Sequence, residues 1–198
     1  MDDRIFFDNL APIWDENEVL STPDRVNMIL DYIDLQPGQA VLDLGTGTGV
    51  LLPYIAERIG ETGTITAVDY SSGMLSRARK KFRDLIPAPE FLNLDFENET
   101  IPHEYDRIIL YCVFPHLHNP VATLNWLQKV NLKEEGSMFI AFPCGPDFIN
   151  SIHKDRHSES DLLPTASKLT EYLKENGLNA SVLAETNETY VIKIKKHG

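Results

Sequence analysis

Asp43-Leu44-Gly45-Thr46-Gly47-Thr48-Gly49 sets three glycines at alternate positions, between a short apolar run and a helical stretch. Glycines in such a turn let the backbone pass close to a ligand, because no Cβ stands in the way. In an open α/β sheet, the turn at the carboxyl end of a strand is where ligands bind. The spacing is Gly-x-Gly-x-Gly: Val50 stands where a dinucleotide fingerprint needs glycine, and no Lys-Ser/Thr pair follows to make a triphosphate loop. Asp69, twenty residues past Gly49 at the end of the next apolar run, is placed to accept hydrogen bonds from both hydroxyls of a ribose. It could instead cap a helix or face solvent, but Ser71 already supplies a cap. Asp95, closing a third run, can accept from an adenine amino group.

These residues need strands that end together. Thr22-Pro23-Asp24 opens a helix whose Val26, Ile29, Leu30 and Ile33 fall at i, i+3, i+4 and i+7, so one face is buried, and Pro37-Gly38 stops it. Strand-like runs then cover residues 40–44, 65–68, 91–94, 107–113 and 138–142, with helical stretches at 50–59, 71–82 and 121–130 between them. Alternation of strand and helix predicts a doubly wound, Rossmann-like sheet, mostly parallel, with helices on both faces. A last helix over 164–176 leads to two alternating runs, 181–184 and 190–194, joined by a turn. Strands that close on each other form a hairpin, so at least one runs antiparallel to the rest.

At 198 residues, 42% hydrophobic and 24% charged, the chain reads as a single globular domain rather than a disordered or fibrous one. Its net charge is −12, and residues 1–40 hold −7 of it, nine acids against Arg4 and Arg25. Such a surface repels polyphosphate, which argues against a nucleic-acid partner. Arg77, Arg79, Lys80, Lys81 and Arg83 read as the solvated face of a helix. No apolar run is long enough to span a membrane and no leader pattern follows Met1, so the expectation is a cytoplasmic protein. Cys112 and Cys144 are too few for a disulfide framework and lack metal-knuckle spacing. Nothing in the sequence fixes His116, His118, His153 and His157 relative to one another, so no metal site is expected.

Val41 through Gly49, then Ala67-Val68-Asp69 with Ser72-Gly73-Met74, then Leu94-Asp95-Phe96, resemble in order and spacing the cofactor motifs of class I S-adenosylmethionine-dependent methyltransferases that act on small molecules. The resemblance implies a seven-stranded sheet with one antiparallel strand near its end. It implies Gly45, Thr46, Gly47 and Gly49 against the methionine and ribose parts of S-adenosylmethionine, and Asp43 facing the methionine amino group. Asp69 would hold the ribose hydroxyls, Asp95 would meet the adenine, and Phe96 and Tyr70 would pack on its rings. It divides the single domain 1–198 into an N-terminal helical lid or cap (1–36), a cofactor-binding core (37–142), and acceptor-side helices with the closing hairpin (143–198).

Methyl transfer from a sulfonium is an in-line displacement, so positioning and water exclusion do most of the work. Catalytic candidates follow the fourth strand, in Tyr111 to Pro120, a segment similar to the His-His-Leu-Pro-Asp-Pro stretch of small-molecule methyltransferases. Pro115 replaces the first His and His118 the usual Pro, which leaves His116, with Tyr111 beside it, as general base or orienting group. The other reading of His116 is a loop residue that packs or caps, and His118 reads as structural or exposed. An Asn-Pro-Pro-Tyr type of sequence, found where amide or base nitrogens are methylated, is absent.

Phe6 to Asp15 resembles the N-terminal segment of quinone C-methyltransferases, with Trp14 for Tyr. Phe7 and Trp14 would then belong to a lid; otherwise the segment is a helix docked through Phe6, Phe7 and Leu10. Cys112 and His153 complete the expected acceptor side. The sequence thus implies a methyltransferase with a small-molecule acceptor. A nucleotide-cofactor oxidoreductase is opposed by Val50 and Asp95, and a cofactor-binding protein without catalysis would need the same pocket.

Overall fold

The structure, a computed structural model, describes residues 3–17, 20–153 and 162–196. Its elements run α1 (Asp3–Leu10), a 3-10 turn (Ala11–Ile13), α2 (Trp14–Asn17), α3 (Pro23–Ile33), β1 (Ala40–Leu44), α4 (Leu52–Ile59), β2 (Thr64–Asp69), α5 (Ser72–Lys81) and β3 (Glu90–Asn93). Then come β4 (Tyr105–Tyr111), a 3-10 turn (Phe114–His116), α6 (Pro120–Val130), β5 (Leu132–Phe142), α7 (Pro146–His153), α8 (Ala166–Glu175), β6 (Asn179–Glu185) and β7 (Tyr190–Lys195).

All seven strands join one sheet in the order β3-β2-β1-β4-β5-β7-β6. β7 is antiparallel to both β5 and β6, and the other neighbours pair in parallel. The order reverses between β1 and β4, which creates a crevice at their carboxyl ends. Side chains alternate across the sheet, and helices cover both faces. Val41, Ile109 and Phe139 meet α3 and α4 through Ile29, Ile33, Ile55 and Ile59, whereas Leu42, Ile108 and Ile140 meet α6 and α8 through Leu124, Leu127 and Leu169. Burial on both faces is why these strands read as continuous apolar runs.

Several boundaries differ from the sequence expectation. β4 spans Tyr105–Tyr111 rather than 107–113, because Cys112 turns to φ +58° and a 3-10 turn follows. β5 begins at Leu132, six residues before the expected start, and its early Lys133 to Glu135 lie where burial relaxes. α3 stops at Ile33 because Asp34 adopts φ +54°, before Pro37-Gly38 is reached, and Thr22 makes no side-chain capping bond. Among the described residues no helix is long and apolar enough to cross a membrane.

Candidate functional site

A cavity of about 260 Å³ opens at the carboxyl ends of β1, β2 and β4. The β1–α4 loop contributes Asp43, Gly45, Thr46 and Gly47, the end of β2 contributes Asp69 and Tyr70, and the segment after β3 contributes Asp95, Phe96 and Glu97. The stretch after β4 adds Tyr111, Cys112, His116 and His118, and the N-terminal segment adds Phe7 and Trp14.

The three loop glycines meet different needs. All have positive φ, +66°, +56° and +85° for Gly45, Gly47 and Gly49. A Cβ on Gly45 would overlap Val113 Cγ2, so that glycine lets the loop touch the segment after β4. A Cβ on Gly47 would meet nothing within 4 Å, so the backbone there borders open space. At Gly49 a Cβ would lie 2.8 Å from both Leu52 Cδ1 and Phe82 Cε2. Gly49 is therefore a close-packing position beneath α4, and the structure does not bring it to the cavity wall.

Two buried carboxylates face each other across this loop. Asp43 is 1% exposed and accepts a 2.6 Å hydrogen bond from Thr46 Oγ1. Burial pushes its pKa up to about 7, against the Thr46 bond, and the Asp69 charge adds to the rise. Asp69 accepts from Gly47 N at 2.8 Å and from Ser71 N at 2.9 Å, one backbone donor on each oxygen. Burial raises its pKa to about 6 in spite of those bonds, and Asp8 contributes to the rise. Each Asp69 oxygen keeps a lone pair for a further donor. No lysine or arginine is found among the described residues lining the cavity. A ligand with a cationic group and a pair of hydroxyls fits this donor-poor, acidic wall, and S-adenosylmethionine has both. Asp95 lines the cavity too, while its carboxylate accepts from Glu97 N and Asn98 Nδ2 and so shapes its own loop.

The N-terminal segment is docked onto the cofactor motifs. Phe7 meets Trp14, Tyr70 and His116 with ring centroids 5.7, 6.2 and 5.3 Å apart. Asp8 Oδ1 accepts from Ser71 Oγ at 2.6 Å and Gly73 N at 2.9 Å, which places a carboxylate at the positive end of α5. The Ser71 and Gly73 bonds hold the Asp8 carboxyl below the usual range, against burial. Ala11 packs where Gly73 lacks a side chain. Asp15 accepts from Thr48 Oγ1 and from Lys81 Nζ; burial alone would raise its pKa, but these partners hold it down. Asp8 and Asp15, together with the rings, make the docking. The sequence marks them as acidity and as part of the segment similar to quinone C-methyltransferases, without naming their partners.

After β4, Tyr111 is buried and its hydroxyl donates to Ser21 Oγ at 2.9 Å. His116 ends the 3-10 turn with its ring against Phe7. Cys112 is half-buried at the cavity, whereas Cys144 lies in the core. Sequence reasoning missed Glu97. Its side chain is 11% exposed, and it accepts from His118 N and Nδ1, Asn119 N and Thr123 Oγ1 at 2.9–3.1 Å. Asn119, the N-cap of α6, makes no side-chain cap of its own, and Glu97, from another loop, instead accepts from the N–H groups of Asn119 and of His118 just before the helix. Burial would raise the Glu97 pKa, but the four donors hold it below the usual value. His153 closes α7, but its side chain lies outside the described residues, as does His157. Among the described residues no group of three or more His, Cys, Asp or Glu could hold a metal ion.

The doubly wound sheet and the acidic crevice at its switch point define a cofactor-binding α/β domain. Residues 41–136 match the methyltransferase domain family. A protein-L-isoaspartate O-methyltransferase of Methanothermobacter thermautotrophicus is 33% identical over 129 residues, 60% of this chain and 55% of that protein. A 2-phytyl-1,4-naphtoquinone methyltransferase of a Nostoc species is 33% identical over 90 residues, 43% of this chain and 39% of that one. The matches thus span about half or less of these relatives' lengths. A crystal structure of a SAM-dependent methyltransferase from Aquifex aeolicus superposes with a TM-score of 0.72 at 22% identity, covering 90% of this chain and 95% of the other. Residues 41–136 are thus similar to methyltransferase domains, and the fold around them is shared with a solved SAM-dependent methyltransferase.

Proposed function

We propose that the protein transfers a methyl group from S-adenosylmethionine to a small-molecule acceptor, and that the cavity is the site of transfer. The observation that carries this reading is the buried Asp43–Asp69 pair beside the open Gly47 backbone. Asp43 would hold the amino group, Asp69 the ribose hydroxyls, and Asp95 the adenine edge, with Tyr70 and Phe96 at its rings. When bound, S-adenosylmethionine supplies a methyl group already activated by its positively charged sulfur. The chain's own task is then to align an acceptor and keep water out. Phe7 and Trp14, clasped over the cavity by Asp8 and Asp15, serve the second purpose. His116, in the cavity wall beside Phe7, orients the acceptor and can take its proton.

Calorimetry tests the cofactor assignment. S-adenosylhomocysteine should bind far more tightly than NAD, and Asp69→Ala should weaken it at least tenfold, about 1.4 kcal/mol. Preference for NAD would remove the reading. Formation of S-adenosylhomocysteine from S-adenosylmethionine in a metabolite screen separates an enzyme from a protein that only binds the cofactor.

A further inference from the structure

We infer that the methyl acceptor is a flat, lipophilic molecule with no anionic group, a neutral phenol-like or cationic amine-like nucleophile. This rests on the cavity being the methyltransferase site, and it adds the charge class of the substrate.

The first observation is the charge of the wall. Asp43, Asp69, Asp95 and Glu97 all line the cavity, and apart from His116 and His118 the described lining residues supply no cationic side chain. His118 Nδ1 is already engaged by Glu97 at 2.9 Å. Lys81, from neighbouring α5, is paired with Asp15 at 3.0 Å. A buried carboxylate or phosphate is held by guanidinium or ammonium groups, or by the N–H groups of a helix start.

The second observation concerns two helix starts beside the cavity, where the protein's own carboxylates already stand. At α6, His118 N and Asn119 N both donate to Glu97. At α5, Gly73 N donates to Asp8, and Ser71 N donates to Asp69. At both starts an incoming anion would meet these carboxylates as repulsion.

The third observation is the apolar frame. Trp14, Leu20, Leu117, Phe142 and Ile149 form the part of the wall that the cofactor motifs do not, with the edge of Phe7 against His116. Aromatic and aliphatic walls favour a flat apolar body. Its nucleophilic oxygen or nitrogen would then be the one polar point, turned toward His116.

Three probes of one shape test this: 1-naphthol, 1-naphthylmethylamine and 1-naphthoate, which at about pH 8 are neutral, cationic and anionic. Each is titrated by calorimetry into protein saturated with S-adenosylhomocysteine, whose own binding is measured first. The naphthol and the amine should each bind at least about tenfold more tightly than the naphthoate. Naphthoate binding as tightly as either, or no binding by any of the three at millimolar concentration, overturns the inference while the cofactor assignment stands. Failure of S-adenosylhomocysteine to bind overturns the functional reading, and this inference with it.

Discussion

Asp43→Asn should stabilise the ligand-free protein and weaken its cofactor binding, with the first effect growing as the pH rises. The native side chain is 1% exposed, and burial, joined by the Asp69 charge, moves its pKa from 3.8 to about 7. The folded state therefore holds this proton more tightly than the unfolded chain does. That contribution to stability is complete below about pH 3.8 and is lost as the pH rises through about 7, beyond which the folded protein carries a buried charge. At about 1.4 kcal/mol per pKa unit, the whole interval is worth about 4 kcal/mol, of which about 2 to 3 kcal/mol falls between pH 5 and pH 8. Asparagine keeps an acceptor for Thr46 Oγ1 and carries no charge. Asp69 titrates in the same direction in both proteins, and its charge enters the comparison through the part of the Asp43 rise that it causes. The advantage of the variant over the native protein should thus increase by about 2 to 3 kcal/mol from pH 5 to pH 8, a relative rise in Tm of about 5–10 °C. Thermal unfolding without ligand at both pH values reads the first effect, and calorimetry with S-adenosylmethionine at pH 8 should show affinity lost at least about tenfold. A difference that stays flat or shrinks with pH would refute the claim that Asp43 is a buried charge awaiting a cation.

Asp8→Ala removes the acceptor for Ser71 Oγ and Gly73 N, and should cost about 1–2 kcal/mol and speed amide exchange across residues 3–17. The depressed Asp8 pKa keeps that bond in the native protein until the pH falls below 3.8, so exchange in this segment should be unchanged between pH 5 and pH 8 once corrected for intrinsic rates. Glu97→Gln turns one accepting oxygen into a donor facing the start of α6, and denaturant unfolding should show a loss of about 1–3 kcal/mol; equal stability would mean the carboxylate does not hold that loop. With an acceptor in hand, His116→Ala should lower turnover about 10²-fold or more and leave S-adenosylhomocysteine affinity within about twofold. An unaffected rate would leave His116 a packing residue against Phe7.

Much of the site was legible because its signals are local. Glycines at 45, 47 and 49 answer a backbone demand for positive φ that any reader of the loop can infer. Asp69 closes β2 and Asp95 lies two residues past β3, and strand ends are set by period and breakers within a few residues. The buried stripe Val26, Ile29, Leu30 and Ile33 of α3 is likewise a matter of helical spacing. Even so, the shared glycine pattern hides a division of labour. Gly47 borders the cavity and Gly49 packs against Phe82, a residue thirty-three positions away that spacing does not reveal.

The sequence by itself therefore determined the alternating elements, the loop and the chemistry of its carboxylates. Tertiary structure decided what the remaining acids do. Asp8 finds Ser71 across 63 residues, Asp15 finds Lys81 across 66, and Glu97 finds His118 and Asn119 across 21 and 22. An aspartate on a solvated face and one latched to a helix start look identical in one dimension. What separates them is the partner that folding brings within hydrogen-bond reach and the water it takes away. The strand order has the same cause: β7 inserts between β5 and β6 because its apolar Val191, Ile192 and Ile194 need burial on both faces, which only the assembled sheet and its covering helices provide.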